Sequence, residues 1–97
     1  MFINNKNRLI AEEQLQQGTV SHTQIYPAEI VEKTLAYGAS AIIIVHNHPS
    51  GEPKPSREDI EVTNHLKNLL KALEVRLLDH IVIGRKGVYS FAEEHLV

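Results

Sequence analysis

The spacing of apolar and polar residues along this chain marks out its elements before any chemistry is considered. Phe2 and Ile3 open it as a short strand, cut by a turn-like run from Asn4 to Asn7. Leu9, Ala11, Glu13 and Leu15 then fall on one side of a strand, with Arg8, Glu12, Gln14 and Gln16 mainly on the other and Ile10 interrupting the alternation. Gly18 closes that strand, and the stretch from Thr19 to Tyr26 reads as a loop or a second short strand leading into Pro27. Proline suits the first position of a helix, so residues 28–37 are expected to be helical and to stop at Gly38, with Ile30, Val31, Thr34 and Leu35 as the buried stripe.

The run from Ala39 to Asn47 does not alternate, which predicts a central strand covered on both faces. Pro49, Pro53 and Pro55 exclude regular structure until Ser56. From Ser56 to about Leu73 the apolar positions Val62, Leu66, Leu69, Leu70 and Leu73 recur at helical spacing. Residues 75–84 read as another interior strand, Arg85 to Gly87 as an exposed turn, and 88–92 as a last strand. The closing residues 93–97 form either a frayed end or a docking strand. Strands and helices alternating in this order make an α/β fold, a mixed central sheet flanked by helices. The order of strands within the sheet is not legible from the pattern.

Ninety-seven residues, 42% of them hydrophobic, make one small domain with room for one core and one site. A net charge of −2 and a pI near 6.3 provide no large positive field, so phosphate-backbone binding by this domain alone is disfavoured. The absence of cysteine excludes a disulfide framework and thiolate ligation, leaving nitrogen and oxygen donors for any metal. The longest apolar run is far short of a membrane span, and the opening residues lack a charged segment followed by an apolar one. A cytoplasmic location is expected, with no membrane partner. The opening strand looks truncated, which suggests a longer parent chain. It also suggests pairing of its unpaired backbone with a second copy, as a homodimer.

Chemistry concentrates in the stretch from Val45 to Ile60. His46 and His48 stand at i and i+2, so a strand continuing through them points both imidazoles to the same side. Capping of a sheet end is the plain alternative. Ser56 and Asp59 form a start resembling a capping box, and Asp59 also lies three, four and seven residues before Val62, Thr63 and Leu66, on the core-facing side of the helix. An inward carboxylate needs a partner, which a metal cation would supply. Glu13 sits between Ala11 and Leu15 on the apolar side of its strand and reads either as a half-exposed edge residue or as a functional acid. Glu12 reads as a solvated surface charge. Two histidines and an aspartate, leaving a fourth position for water, fit the catalytic zinc pattern, and a glutamate outside the ligand set fits a general base.

His46-x-His48, seven residues, then Ser56-x-x-Asp59, with a glutamate on an upstream strand, resembles the JAMM motif of JAB/MPN metalloproteases. The runs at 7–13, 18–19, 46–51, 55–60 and 77–84 are more closely similar to the RadC family, once labelled DNA repair proteins, over nearly the whole chain. The resemblance implies a cytidine-deaminase-like MPN architecture with a truncated first strand and a zinc ion (Zn2+) held by His46, His48 and Asp59. It also implies Glu13 as the acid/base, with Glu12 as fallback, and Ser56 as stabiliser of a tetrahedral oxyanion. The substrate would be a peptide or isopeptide-like amide. The chain departs from the family pattern at Ala28, where an arginine is usual, and at Tyr26, where histidine is frequent. The expectation is a single RadC-like domain over residues 1–97 without the amino-terminal helix-hairpin-helix region of longer relatives, the natural DNA binder.

His80 beside Asp79 reads as an orienting residue or, more simply, as a buried pair or a sheet-end hydrogen bond. His22, His65 and His95 read as surface residues, Ser50 and Gly51 as loop-shaping ones with substrate contact as the alternative for Ser50, and Ser90 as a strand residue. The leading function is a zinc-dependent metallohydrolase. The alternatives are a non-catalytic protein-interaction module on the same fold and a DNA-repair accessory role.

Overall fold

A computed structural model describes residues 1–13, 25–48 and 53–97. The expectations on Gln14, Leu15, Gln16, Gly18, residues 19–24 including His22, and Pro49, Ser50 and Gly51 lie outside the described residues. Five strands and two helices follow one another as β1 (Phe2–Ile3), β2 (Leu9–Ala11), α1 (Pro27–Tyr37), β3 (Ala41–Asn47), α2 (Arg57–Ala72), β4 (Arg76–Gly84) and β5 (Gly87–Ser90). The sheet is mixed, ordered β2-β1-β3-β4-β5, with β3 and β4 parallel and the other pairs antiparallel.

Local chemistry explains the boundaries. The β1–β2 turn closes because Asn4 Oδ1 accepts from the backbone N–H of Lys6 and Arg8, and Asn7 takes a left-handed conformation at φ 61°. Helix α1 begins on Pro27, which has no N–H to leave unsatisfied, and ends at Gly38, whose φ of 63° favours a residue without a Cβ. Helix α2 starts with a complete capping box. Ser56 Oγ accepts from Asp59 N, and Asp59 Oδ2 accepts from Ser56 N.

One hydrophobic core joins both helices to the sheet: Phe2, Ile30, Ala39, Ile42, Leu66, Leu70, Val75 and Leu77, with Ala11, Ile25, Val31, Ile44 and Val97 packed against it. The two helices share this core with Ile42 and Leu77, so they cover one side of the sheet. That corrects the expectation of a central strand covered on both faces, since Val45 is 51% exposed. Ile83 and Val88, which pair across β4 and β5, are exposed as well. One-sided packing also narrows each helix's buried stripe. Leu35, Leu69 and Leu73 are exposed, whereas Ile30, Thr34, Leu66 and Leu70 are buried.

Three further expectations are corrected. Strand β1 lies inside the sheet, paired with β2 on one side and β3 on the other, so its backbone is not the open edge expected for a second copy. Strand β2 ends at Ala11, short of Glu13, and Leu9 on its supposed apolar side is exposed. Residues 93–97 form neither a strand nor a loose end. Leu96 N donates to Phe91 O at 2.8 Å, Ala92 N donates to Asp79 Oδ1 at 3.0 Å, and Val97 reaches the core.

A register shift in the β3–β4 ladder positions the site. Ile42 pairs with Leu77, but Ile43 pairs with Asp79, so Leu78 is an extra residue in β4. Strict alternation from Leu77 would turn Asp79 inward and His80 outward. The bulge reverses that phase, and His80 and Val82 are fully buried alongside His46, which pairs with Val82.

Candidate metal centre

The site lies at the carboxyl ends of the parallel strands β3 and β4, where the amino terminus of the crossover helix α2 meets the sheet. Open α/β sheets place ligands at such ends. His46 is 3% exposed on the helix-covered face of β3. His48 follows the strand, but its backbone N–H donates to Ile83 O at 2.9 Å, extending the pairing beyond Asn47. The i, i+2 relation therefore survives, and the two imidazoles sit 4.9 Å apart edge to face. Asp59 projects from the first turn of α2, and its Oδ2 lies 3.1 Å from His48 Nε2.

One donor atom from each of His46, His48 and Asp59 can be chosen so that all three lie within 4.8 Å of one another. Two borderline nitrogens and a hard oxygen at such separation could hold a divalent metal ion, and the donor set suits a transition metal better than Ca2+ or Mg2+. Burial by itself would raise the Asp59 pKa. The Ser56 hydrogen bonds, helped by positive charge on His46 and His48, outweigh that and hold the carboxyl below its usual range. The carboxylate is thus ready to ligate at neutral pH.

Ser56 stands at the mouth of the same turn, exposed. Its oxygen accepts from Asp59 N at 3.1 Å, which leaves its proton available to an outside acceptor. Glu13 is not one of the residues whose donor atoms gather there. Its carboxylate accepts a hydrogen bond from the Tyr37 hydroxyl and lies 3.2 Å from Lys33 Nζ, both on α1. Those two partners hold its pKa below the ordinary carboxylate value, Tyr37 foremost. Glu12 is exposed, as are His65 and His95.

The profile of the RadC-like JAB domain family matches residues 1–96. The chain belongs to this RadC-like JAB domain family. It is 52% identical over 93 residues to a UPF0758 protein of Janthinobacterium sp. (strain Marseille), a match covering 96% of this chain and 42% of that protein. A UPF0758 protein of Nitrosospira multiformis is 45% identical over 97 residues, covering 100% of this chain and 43% of the relative. UPF0758 protein YkfG of Escherichia coli (strain K12) is 41% identical over 97 residues, covering 100% of this chain and 61% of its own length. The RadC-like chain thus spans less than two thirds of each of these proteins. No helix among the described residues is long and apolar enough to cross a membrane.

The RadC-like domain also contains polar residues beneath His46 and Asp59 whose arrangement the sequence pattern did not disclose. His80 is fully buried, and its Nδ1 lies 2.8 Å from Thr63 Oγ1. Helical spacing alone marks Thr63 only as part of the inward helix face. The imidazole does not pair with the Asp79 carboxylate, which instead accepts from the backbone N–H groups of His80 and Ala92 and from Ser90 Oγ at 2.6 Å. Asp79 and Ser90 thereby fasten the chain end to β4 and β5. The available signal was Thr63 standing four residues after Asp59, one helical turn deeper on the same inward face.

Proposed function

We propose that this domain is a zinc-dependent metallohydrolase that cleaves a peptide or isopeptide-like amide, with His46, His48 and Asp59 as ligands, Ser56 as oxyanion donor and Glu13 as acid/base. The observation that carries this reading is the convergence of one donor atom each from His46, His48 and Asp59 within 4.8 Å. Bound there, zinc would supply Lewis acidity and lower the pKa of water at the position the three ligands leave free. Ser56, anchored by its cap, would donate its hydroxyl proton toward the charge that develops on a carbonyl oxygen. Glu13 would accept the proton of the attacking water and return it to the leaving amine. For that duty its carboxylate has to exchange Lys33 and Tyr37 for the reacting water, because a carboxylate held by those two groups is a weak base.

The test is zinc content together with amide cleavage. About one zinc per chain is expected in the native sequence, with loss in His46→Ala, His48→Ala and Asp59→Ala. Glu13→Gln should keep the metal and lose activity on peptide and isopeptide substrates. A chain that fails to take up zinc from chelator-free buffer sinks the proposal.

A second reading has one observation in its favour, the engagement of Glu13 by α1. On that reading the domain binds metal but serves as a non-catalytic interaction module. Zinc binding without hydrolysis of any amide, and a Glu13→Gln protein that acts like the native one in the cell, would favour it.

A further inference from the structure

Two fully buried polar groups lie under the ligands, and the ligand set does not account for them. Thr63 is 1% exposed, one turn after Asp59 in α2. Its Oγ1 donates to the Asp59 carbonyl oxygen at 2.6 Å and lies 2.8 Å from His80 Nδ1. His80, 0% exposed in β4, is stacked on His46 at 5.5 Å and 26° and on Phe91 at 4.4 Å and 16°.

The proton count fixes the direction of this chain of contacts. A threonine hydroxyl has one proton, and a backbone carbonyl oxygen can only accept. With the Thr63 proton committed to Asp59 O, the bond to His80 exists only if His80 Nδ1 carries a proton and donates it. That sets the neutral tautomer as Nδ1–H and locks the ring plane, with Phe91 stacked on the ring as well. The main chain of one ligand, Asp59, is thereby tied through Thr63 and His80 to the ring of another, His46, although the two stand on different elements.

We infer that Thr63 and His80 are a positioning pair that holds the amino terminus of α2 and the end of β3 at the separation metal ligation requires. This inference rests on the reading of His46, His48 and Asp59 as ligands. A hydrophobic pair of the same shape would fill the space equally well but would leave α2 free to shift against the sheet. Partners that orient ligands from outside typically govern metal affinity by about 10–100-fold.

The experiment compares Thr63→Val, which keeps the shape, with Thr63→Ser, which keeps the hydroxyl. Zinc affinity is read by competition with a chromophoric chelator, and ligand geometry by the visible absorption of the cobalt-loaded protein. Thr63→Val should bind zinc about 10–100-fold more weakly with an altered cobalt spectrum, while Thr63→Ser should stay near the native protein on both. Thermal melts separate this from unfolding. If Thr63→Val does not fold, His80→Phe, which preserves the stack and removes the nitrogens, should give the same loss. In the native protein without metal, nitrogen–proton correlation should place the His80 proton on Nδ1.

A proton found on Nε2 overturns the inference. So does a native protein that binds zinc while Thr63→Val matches it in affinity and spectrum, a result that leaves the proposed function standing. A native protein that takes up no metal overturns both.

Discussion

The helix-covered side of the sheet has two ends, built from the same three elements but lined by opposite kinds of side chain. Where β3 and β4 begin, Ile42 and Leu77 meet Leu66, Leu70 and Val75, all apolar and buried. Where those strands finish, the same faces of β3, β4 and α2 present His46, His80, Thr63 and Asp59. The apolar end needs only shape to be stable. At the polar end every buried group needs a specific partner, because each unsatisfied donor or acceptor carries a desolvation cost. One end supplies the fold's stability, and the other gives up some of it to keep donors in place.

The difference is sharpest under mutation. Leu70→Ala at the apolar end should cost roughly 2–5 kcal/mol in urea unfolding, through lost transfer energy and an unfilled cavity. Metal stoichiometry should not change. Asp59→Asn should do the reverse, abolishing metal binding while moving the unfolding midpoint far less. A Leu70→Ala protein as stable as the native one would remove the contrast.

Acid should find the polar end first. In the metal-free protein burial, with the neighbouring His46 charge adding to it, pushes the His80 pKa down to about 4 from 6.5. Below pH 6.5 the unfolded chain takes up a proton that the native state refuses, so this contribution is complete above that pH and is lost as the pH falls toward 4. The ceiling is roughly 3 kcal/mol. Urea midpoints at pH 7 and pH 4.5 should differ accordingly in chelator, and His80→Phe should flatten the difference.

Ligation should reverse the imbalance. If His46, His48 and Asp59 bind zinc as proposed, free zinc at a hundred times its dissociation constant raises stability by about 2.7 kcal/mol. A chelator should remove the gain, and His46→Ala should never show it. Ser56→Ala should cost about 1 kcal/mol through the lost cap, seen as a small drop in melting temperature. The smallest effect belongs to Glu13. Lys33→Ala or Tyr37→Phe should move the Glu13 carboxyl titration upward, toward its ordinary value, without a measurable change in melting.

Features encoded by neighbours were legible in the sequence, and features encoded by distant pairing were not. Pro27 and Gly38 bounded α1, and Ser56 with Asp59 opened α2, because capping is a matter of a few adjacent residues. The convergence of His46, His48 and Asp59 was legible for the same reason, since the strand and helix periods aim these side chains toward one another. Strand order was hidden, and with it the interior place of β1, because both depend on which distant strand supplies the next hydrogen bonds. Helical spacing made Leu35, Leu69 and Leu73 look buried, but only packing on a single side of the sheet decides how wide a stripe is covered. The burial of His80 has no local mark either, because alternation cannot foresee the extra residue at Leu78. The engagement of Glu13 by Lys33 and Tyr37 spans 24 residues to the tyrosine and left no mark in either local pattern.

His46, His48 and Asp59 all belong to one contiguous strand-to-helix passage, whereas Glu13 belongs to a separate stretch and is answerable to α1. If these residues hold metal and handle protons as proposed, the two duties are separately heritable. A lineage could then erase or restore the proposed acid through changes near β2 and α1 alone, with the proposed cation's seat passed on intact.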